Sequence, residues 1–286
     1  MPAWKARHSL AHLFVLLLLA ALVLPVAGRS NAAFLRLKLA VDQPPGQERR
    51  QNLESAAADL QAYLSAGRAG AGSVRLGLGL ALAALGQEAQ AERQLAQSAE
   101  PGLAYLLAAD WARRDAANAA ALAWYARALA SGGRVAGAHF ASAEILSDAG
   151  QFAQAEVHYR LAVAAEPDNY YWHLRRAANA RRAGRPEDAI AIYRQMTGLF
   201  PDFGPAYLEL ADVYRRMDKR QLAAEAGRQA LALEHDWAPA QLLKLAQILE
   251  WAGERQAAVR AYEGLLAVEP GSAAAQEALG RLQSAP

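Results

Sequence analysis

The sequence predicts an all-helical chain built from repeated pairs of antiparallel helices, and three observations carry that prediction. The first is a 34-residue register: Ala109, Ala143, Ala177 and Ala211 keep this step, as do Ala121, Ala155, Ala189 and Ala223. Tyr125, Tyr159 and Tyr193 keep it too, with Pro167 and Pro201, so three residue types share one period. The second is the lack of strand signals, since the chain has 72 Ala, few β-branched residues and no alternating apolar runs. The third is punctuation. Gly150, Gly184 and Gly253 fall where paired helices must bend, a place for a residue free to take positive φ. Pro167 and Pro201 fall where a second helix must stop, because proline can neither donate to nor continue it.

Taken in chain order, residues 1–28 read as a targeting segment: Lys5, Arg7 and His8 precede the apolar run Leu13 to Leu24, then Pro25 and small residues follow. The 12 uninterrupted apolar residues suit a signal peptide, whereas counting from Leu10 to Ala27 gives 18 positions, enough to span roughly 30 Å of hydrocarbon. A cleaved signal and a retained single-pass anchor both stand, although Arg29 directly after the candidate cleavage point counts against cleavage. In either case the rest of the chain is expected outside the cytoplasm, at the cell membrane or in the periplasm. Residues 29–71 are read as a helical cap and joint, with one helix from Ala32 to Val41, a stop at Gln43-Pro44-Pro45-Gly46, and a second helix from Gln47 to Ala66. The stretch from Gly67 to Gly79 is expected to be a soft joint, or else Gly77 and Gly79 mark close approach of helices.

Residues 72–270 are the repeat array, with units starting near 72, 102, 136, 170, 204 and 239. In each unit two alanines let the helices approach, a tyrosine fills the wider space, and proline or its substitute ends the pair. The first unit is about two residues short and has Leu95 for the aromatic; Gly227 replaces it in another, and one residue is inserted before Pro239. Residues 271–286 read as a C-terminal capping helix, Ser272 to Leu282, and a tail.

On these residues the chain resembles the tetratricopeptide repeat family, best in Gly184-Arg185-Pro186-Glu187-Asp188-Ala189-Ile190-Ala191-Ile192-Tyr193. It departs at the family's first-helix Trp position, held here by Tyr105, His139, His173, Tyr207 and Leu242. The resemblance implies a right-handed superhelical solenoid in which the first helices line a concave groove. The groove-facing position then corresponds to Leu106, Phe140, Leu174, Leu208 and, past the insertion, Leu243, with Leu103, Tyr171 and Pro205 on the same side. Every rung is apolar, which suits either an apolar track for a partner's segment or burial between neighbouring first helices. The chaperone-tail-binding subfamily has Lys and Asn there, so that ligand is not expected.

Other chemistry is sparse. The formal net charge is +2, and without Lys5 and Arg7 the basic and acidic residues balance, which gives no concentrated basic face for nucleic acid. Cys is absent, so disulfides, thiolate metal sites and cysteine nucleophiles are excluded. No Walker A, G-x-S-x-G or H-E-x-x-H motif occurs. His139 and His173 recur at one repeat position without ligand spacing and are expected to pack, and the carboxylate pairs Glu144 with Asp148 and Glu187 with Asp188 to lie on solvated faces. The pairs Arg113-Arg114, Arg181-Arg182 and Arg215-Arg216 end first helices, where the macrodipole favours cations. Asp110 and Asp212 precede Arg113 and Arg215 by three residues, but Arg181 has Ala178 there and is left as a candidate ligand contact.

The expectation is a protein with no catalysis, cofactor, metal or small-molecule substrate, which binds a protein or peptide segment through Leu106, Phe140, Tyr171, Leu174, Arg181, Leu208 and Arg215. Cell-envelope assembly is the expected setting. A periplasmic holdase, such as one serving cytochrome c maturation, and a purely structural self-assembling array are the alternatives.

Overall fold

The structure is a computed structural model that describes residues 29–67, 71–132, 135–233 and 236–284. The apolar run proposed as signal or anchor lies outside these residues, and among the described ones no helix is long and apolar enough to cross a membrane. The described residues form fifteen α-helices and no strand. A leading pair, α1 (Arg29–Asp42) and α2 (Gln47–Ser65), is followed by six further pairs and a closing helix. These are α3 (Ala71–Ala84) with α4 (Glu88–Leu95), α5 (Pro101–Arg114) with α6 (Asn118–Ala130), and α7 (Val135–Asp148) with α8 (Phe152–Ala165). Then come α9 (Tyr170–Arg182) with α10 (Pro186–Leu199), α11 (Gly204–Arg216) with α12 (Arg220–Ala232), α13 (Pro239–Ala252) with α14 (Arg255–Val268), and α15 (Ala273–Ser284). The chain divides into two compact units, with the boundary after Ile145 inside α7.

The register dictates the packing within each unit. All eight periodic alanines are completely buried, and Tyr125, Tyr159 and Tyr193 are at most 1% exposed. Past the insertion the same roles fall to Ala246, Ala258 and Tyr262, each within 2% of full burial. Short connections hold consecutive helices antiparallel, and one backbone position makes the turn inside each pair. Gly150, Gly184 and Gly253 take left-handed φ of 75°, 71° and 87° there, as expected. Ala116 and Asp218 stand at the same register position and take φ of 58° and 55° without being glycine.

In the first unit, Gly77 and Gly79 lie inside α3 rather than in a joint. A Cβ on Gly77 would meet Phe34 Cε1 at 2.6 Å, and one on Gly79 would meet Leu95 Cδ2 at 2.5 Å, so both glycines mark close helix approach. The leading pair packs against α3. Its Arg49 is 5% exposed, forks onto Asp115 at 2.5 and 2.9 Å, and sits 5.6 Å over the Trp111 ring. In the second unit α15 buries Ala275, Ala278 and Leu279 against the last pair.

Candidate functional site

The polar concentration of the second unit is on its first helices, α9, α11 and α13. On α11, Ala211 must face the paired helix, and the next residue around the axis, Asp212, turns towards the neighbouring first helices and is fully buried. A buried carboxylate is tolerated only when charge and hydrogen bonds compensate it. Four cations do so. Arg215 and Arg216, one turn further on, each approach within 3.0 Å; Arg181 reaches it at 3.3 Å from α9 and Lys244 at 3.5 Å from α13. Glu209 joins the cluster, 2.7 Å from Lys244 and 3.8 Å from Arg181. Burial by itself pushes the Asp212 pKa up, but Lys244, Arg215 and Arg216 together overcome this and hold it below the usual carboxylate value.

Arg181 is therefore not the unpartnered arginine that its own helix suggested, because its acids come from the next repeat. The side chains of Arg181 and Arg215 remain 32% and 38% exposed, so both keep some side-chain surface. With four cations to two carboxylates the cluster is net positive. On the same first helices, Leu174 and Leu243 are half-buried against the unit's core, and Tyr171 is half-buried. Leu208 is 1% exposed and departs from the expected groove track: it is packed into the core and offers a ligand almost nothing. In the first unit Leu106 is half-buried against the local core, and Phe140 is half-buried.

Neighbouring residues take structural roles. Tyr193 is pushed towards the neutral phenol by burial and then by the Glu209 charge. His173 is buried with Nε2 2.9 Å from the Pro167 carbonyl, a packing arrangement. Asp148 pairs with Arg182 at 3.0 Å and Asp188 with Arg185 at 3.3 Å. Among the described residues no group of three or more His, Asp or Glu side chains could hold a metal ion.

The sequence reading missed Glu209 and Lys244, although a signal for them was there. Arg175, Glu209 and, one insertion later, Lys244 occupy one register position and alternate in sign, as facing charges on adjacent helices do.

No protein-family model and no curated protein matches the chain. Solved structures do. The C-terminal part of a TPR repeat-containing protein from Cytophaga hutchinsonii matches with a TM-score of 0.59 at 12% identity, covering 87% of this chain and 99% of that one. PilW, described as a widely conserved type IV pilus biogenesis factor, matches with a TM-score of 0.51 at 19% identity over 86% of this chain and 98% of its own. MamA of Desulfovibrio magneticus RS-1, from residue 41 to its end, gives 0.50 at 13% identity over 60% of this chain and 97% of its own. At these identities the likeness is one of fold.

Proposed function

We propose that this chain, which has the fold of solved tetratricopeptide-repeat proteins and a 34-residue register, is a non-catalytic scaffold that holds an acidic, partly apolar protein segment. The observation that carries this reading is the first-helix face of the second unit. There an excess of cations around Asp212 shares the first helices α9, α11 and α13 with the half-buried Tyr171, Leu174 and Leu243. An extended or amphipathic segment would lay apolar side chains on the leucines and set its carboxylates against Arg181 and Arg215. In the first unit Leu106 and Phe140 are read as local apolar contacts of the same kind. The cell-envelope setting rests on the N-terminal apolar run of the sequence.

Site-specific photocrosslinking tests the reading. A photoreactive residue in place of Tyr171 or Leu174 should give one dominant adduct in intact cells, mapping to an acidic segment, and Arg181→Glu should suppress it in a salt-sensitive way. An adduct of equal yield from the exposed Ala274 of α15, or one indifferent to Arg181→Glu, would move the binding surface elsewhere.

A further inference from the structure

A second apolar surface lies on the other row of helices in the second unit. On α8, Val157, Arg160, Leu161 and Ala164 are all exposed and follow the i, i+3, i+4, i+7 spacing that puts four side chains on one face. Val157 is 56% exposed and Leu161 46%, and Leu199 at the end of α10 is 50% exposed. These residues border a groove of about 570 Å³ that is also lined by Pro167 and His173.

The fold does not require those apolar side chains. The repeat counterparts of Val157 are Ala123, Ala191, Glu225 and, past the insertion, Arg260; those of Leu161 are Arg127, Gln195, Gln229 and Gly264. Small or polar residues satisfy the same helix position in these four repeats, so two branched apolar residues one turn apart on the exposed stripe need another reason. The charges around the groove are lopsided as well. Arg176 is taken up by Glu156 at 2.8 Å, whereas Arg160 forms no ion pair or hydrogen bond among the described residues. His173 lines the groove as well: the Pro167 carbonyl can only accept, so Nε2 donates to it, and the buried Nδ1 has no hydrogen-bond partner.

The geometry points to this groove as a docking site for an amphipathic helical segment of another protein. Two apolar side chains one turn apart would lie between α8 and α10, and an Asp or Glu would sit beside Arg160. Apolar area fixes the segment and the single uncompensated cation selects an acidic one. Its exposed apolar side chains are on second helices and none of them belongs to the first-helix track, so it stands or falls independently of that reading.

The test is selection of a displayed library of random peptides, about four helical turns long, on the full chain. Enriched peptides should carry apolar residues at i and i+3 or i+4 with a neighbouring Asp or Glu. Leu161→Gln, which installs the residue of the next repeat, should weaken them about tenfold or more without lowering the melting temperature, because Leu161 is exposed. Arg160→Glu should weaken them further at low salt, while Arg181→Glu on the other face should leave them unchanged. No enrichment, or peptides indifferent to both Leu161→Gln and Val157→Glu, would overturn the proposal. So would a wild-type dimer that Leu161→Gln converts to monomer, which would assign the groove to a second copy of this chain.

Discussion

Asp110 and Asp212 stand at one position of the repeat, three register steps apart, and each is followed at the same spacing by two arginines. Their surroundings differ. The Asp110 side chain is 49% exposed; it lies 3.9 Å from Arg113 and accepts a 2.5 Å hydrogen bond from the Tyr125 hydroxyl of its own repeat. Asp212 is buried and has no such phenol, because the register position of Tyr125 is Gly227 in its repeat. The space above Gly227 belongs to Leu249, whose Cδ2 would lie 2.9 Å from an added Cβ. In place of one intra-repeat donor, Asp212 draws on Arg181 from the preceding repeat and Lys244 from the following one. The same residue at the same position thus closes a single helix pair in the first unit and ties three successive first helices together in the second.

That difference is most easily broken at the carboxylate itself. Asp212→Asn should destabilise the second unit by about 2–3 kcal/mol, since it removes the one buried charge on which the charged hydrogen bonds converge and leaves Glu209 alone to offset four partly exposed cations. Asp110→Asn should lose no more than about 1 kcal/mol, because its ion pair is exposed and an amide oxygen still accepts from Tyr125. Urea unfolding followed by circular dichroism separates the two, and equal midpoint shifts would mean that the cluster ties nothing together.

Acid sharpens the same comparison. The folded pKa of Asp212 is depressed, so its stabilisation is fully present above the ordinary carboxylate range and is lost as pH falls through the depressed value. The wild-type midpoint should therefore fall on acidification below about pH 4, and Asp212→Asn should flatten that fall. A variant with an unchanged acid profile would show that the buried carboxylate does not govern it.

The periodic alanines come next in size. Ala177→Leu or Ala189→Leu should overpack a completely buried contact and cost about 1–3 kcal/mol, whereas Ala274→Leu on the exposed face of α15 should change little. In the first unit Gly79→Ala should behave like the buried class, because its Cβ would press on both the Leu95 side chain and, at 3.2 Å, the Leu95 backbone nitrogen. Melting shifts of equal size at Ala177 and Ala274 would contradict the packing assigned to the register.

The helix pairs were legible because a small residue at close approach recurs with the repeat and needs no partner outside it. Arg215 beside Asp212 was legible for a similar reason, since i and i+3 on one helix must be neighbours. The contacts of Arg181 and Lys244 were not, because they run sideways between repeats and the residue inserted before Pro239 breaks the step that would align them. Nor could residue type separate Leu208, sealed in the core, from Leu174 and Leu243, which keep some surface. A rung's exposure is set by how closely the flanking first helices approach, and that distance is not written in the rung.

The smallest expected effect concerns the turn inside the repeat pairs, where glycine is the usual solution, Gly86 in the first unit included, and two repeats depart from it. The left-handed position is held by Gly150, Gly184 and Gly253, but by Ala116 in the first unit and by Asp218 in the second. A left-handed backbone costs an ordinary L-residue about 1–2 kcal/mol, less for Asp, whose short polar side chain bonds locally, and nothing steric for glycine. Glycine in turn loses more chain entropy on folding, about 0.5–1 kcal/mol relative to alanine, which offsets part of the relief. Ala116→Gly should accordingly stabilise by up to about 1 kcal/mol and Asp218→Gly by less, while Gly184→Ala should destabilise by a similar amount. No atom lies within 4 Å of a Cβ built on Gly184, so any loss there comes from the backbone and not from a clash. Thermal unfolding resolves these shifts. An Ala116→Gly variant less stable than wild type would mean that the turn's conformation is not what limits that repeat, and that the register's choice of residue there answers to something other than φ.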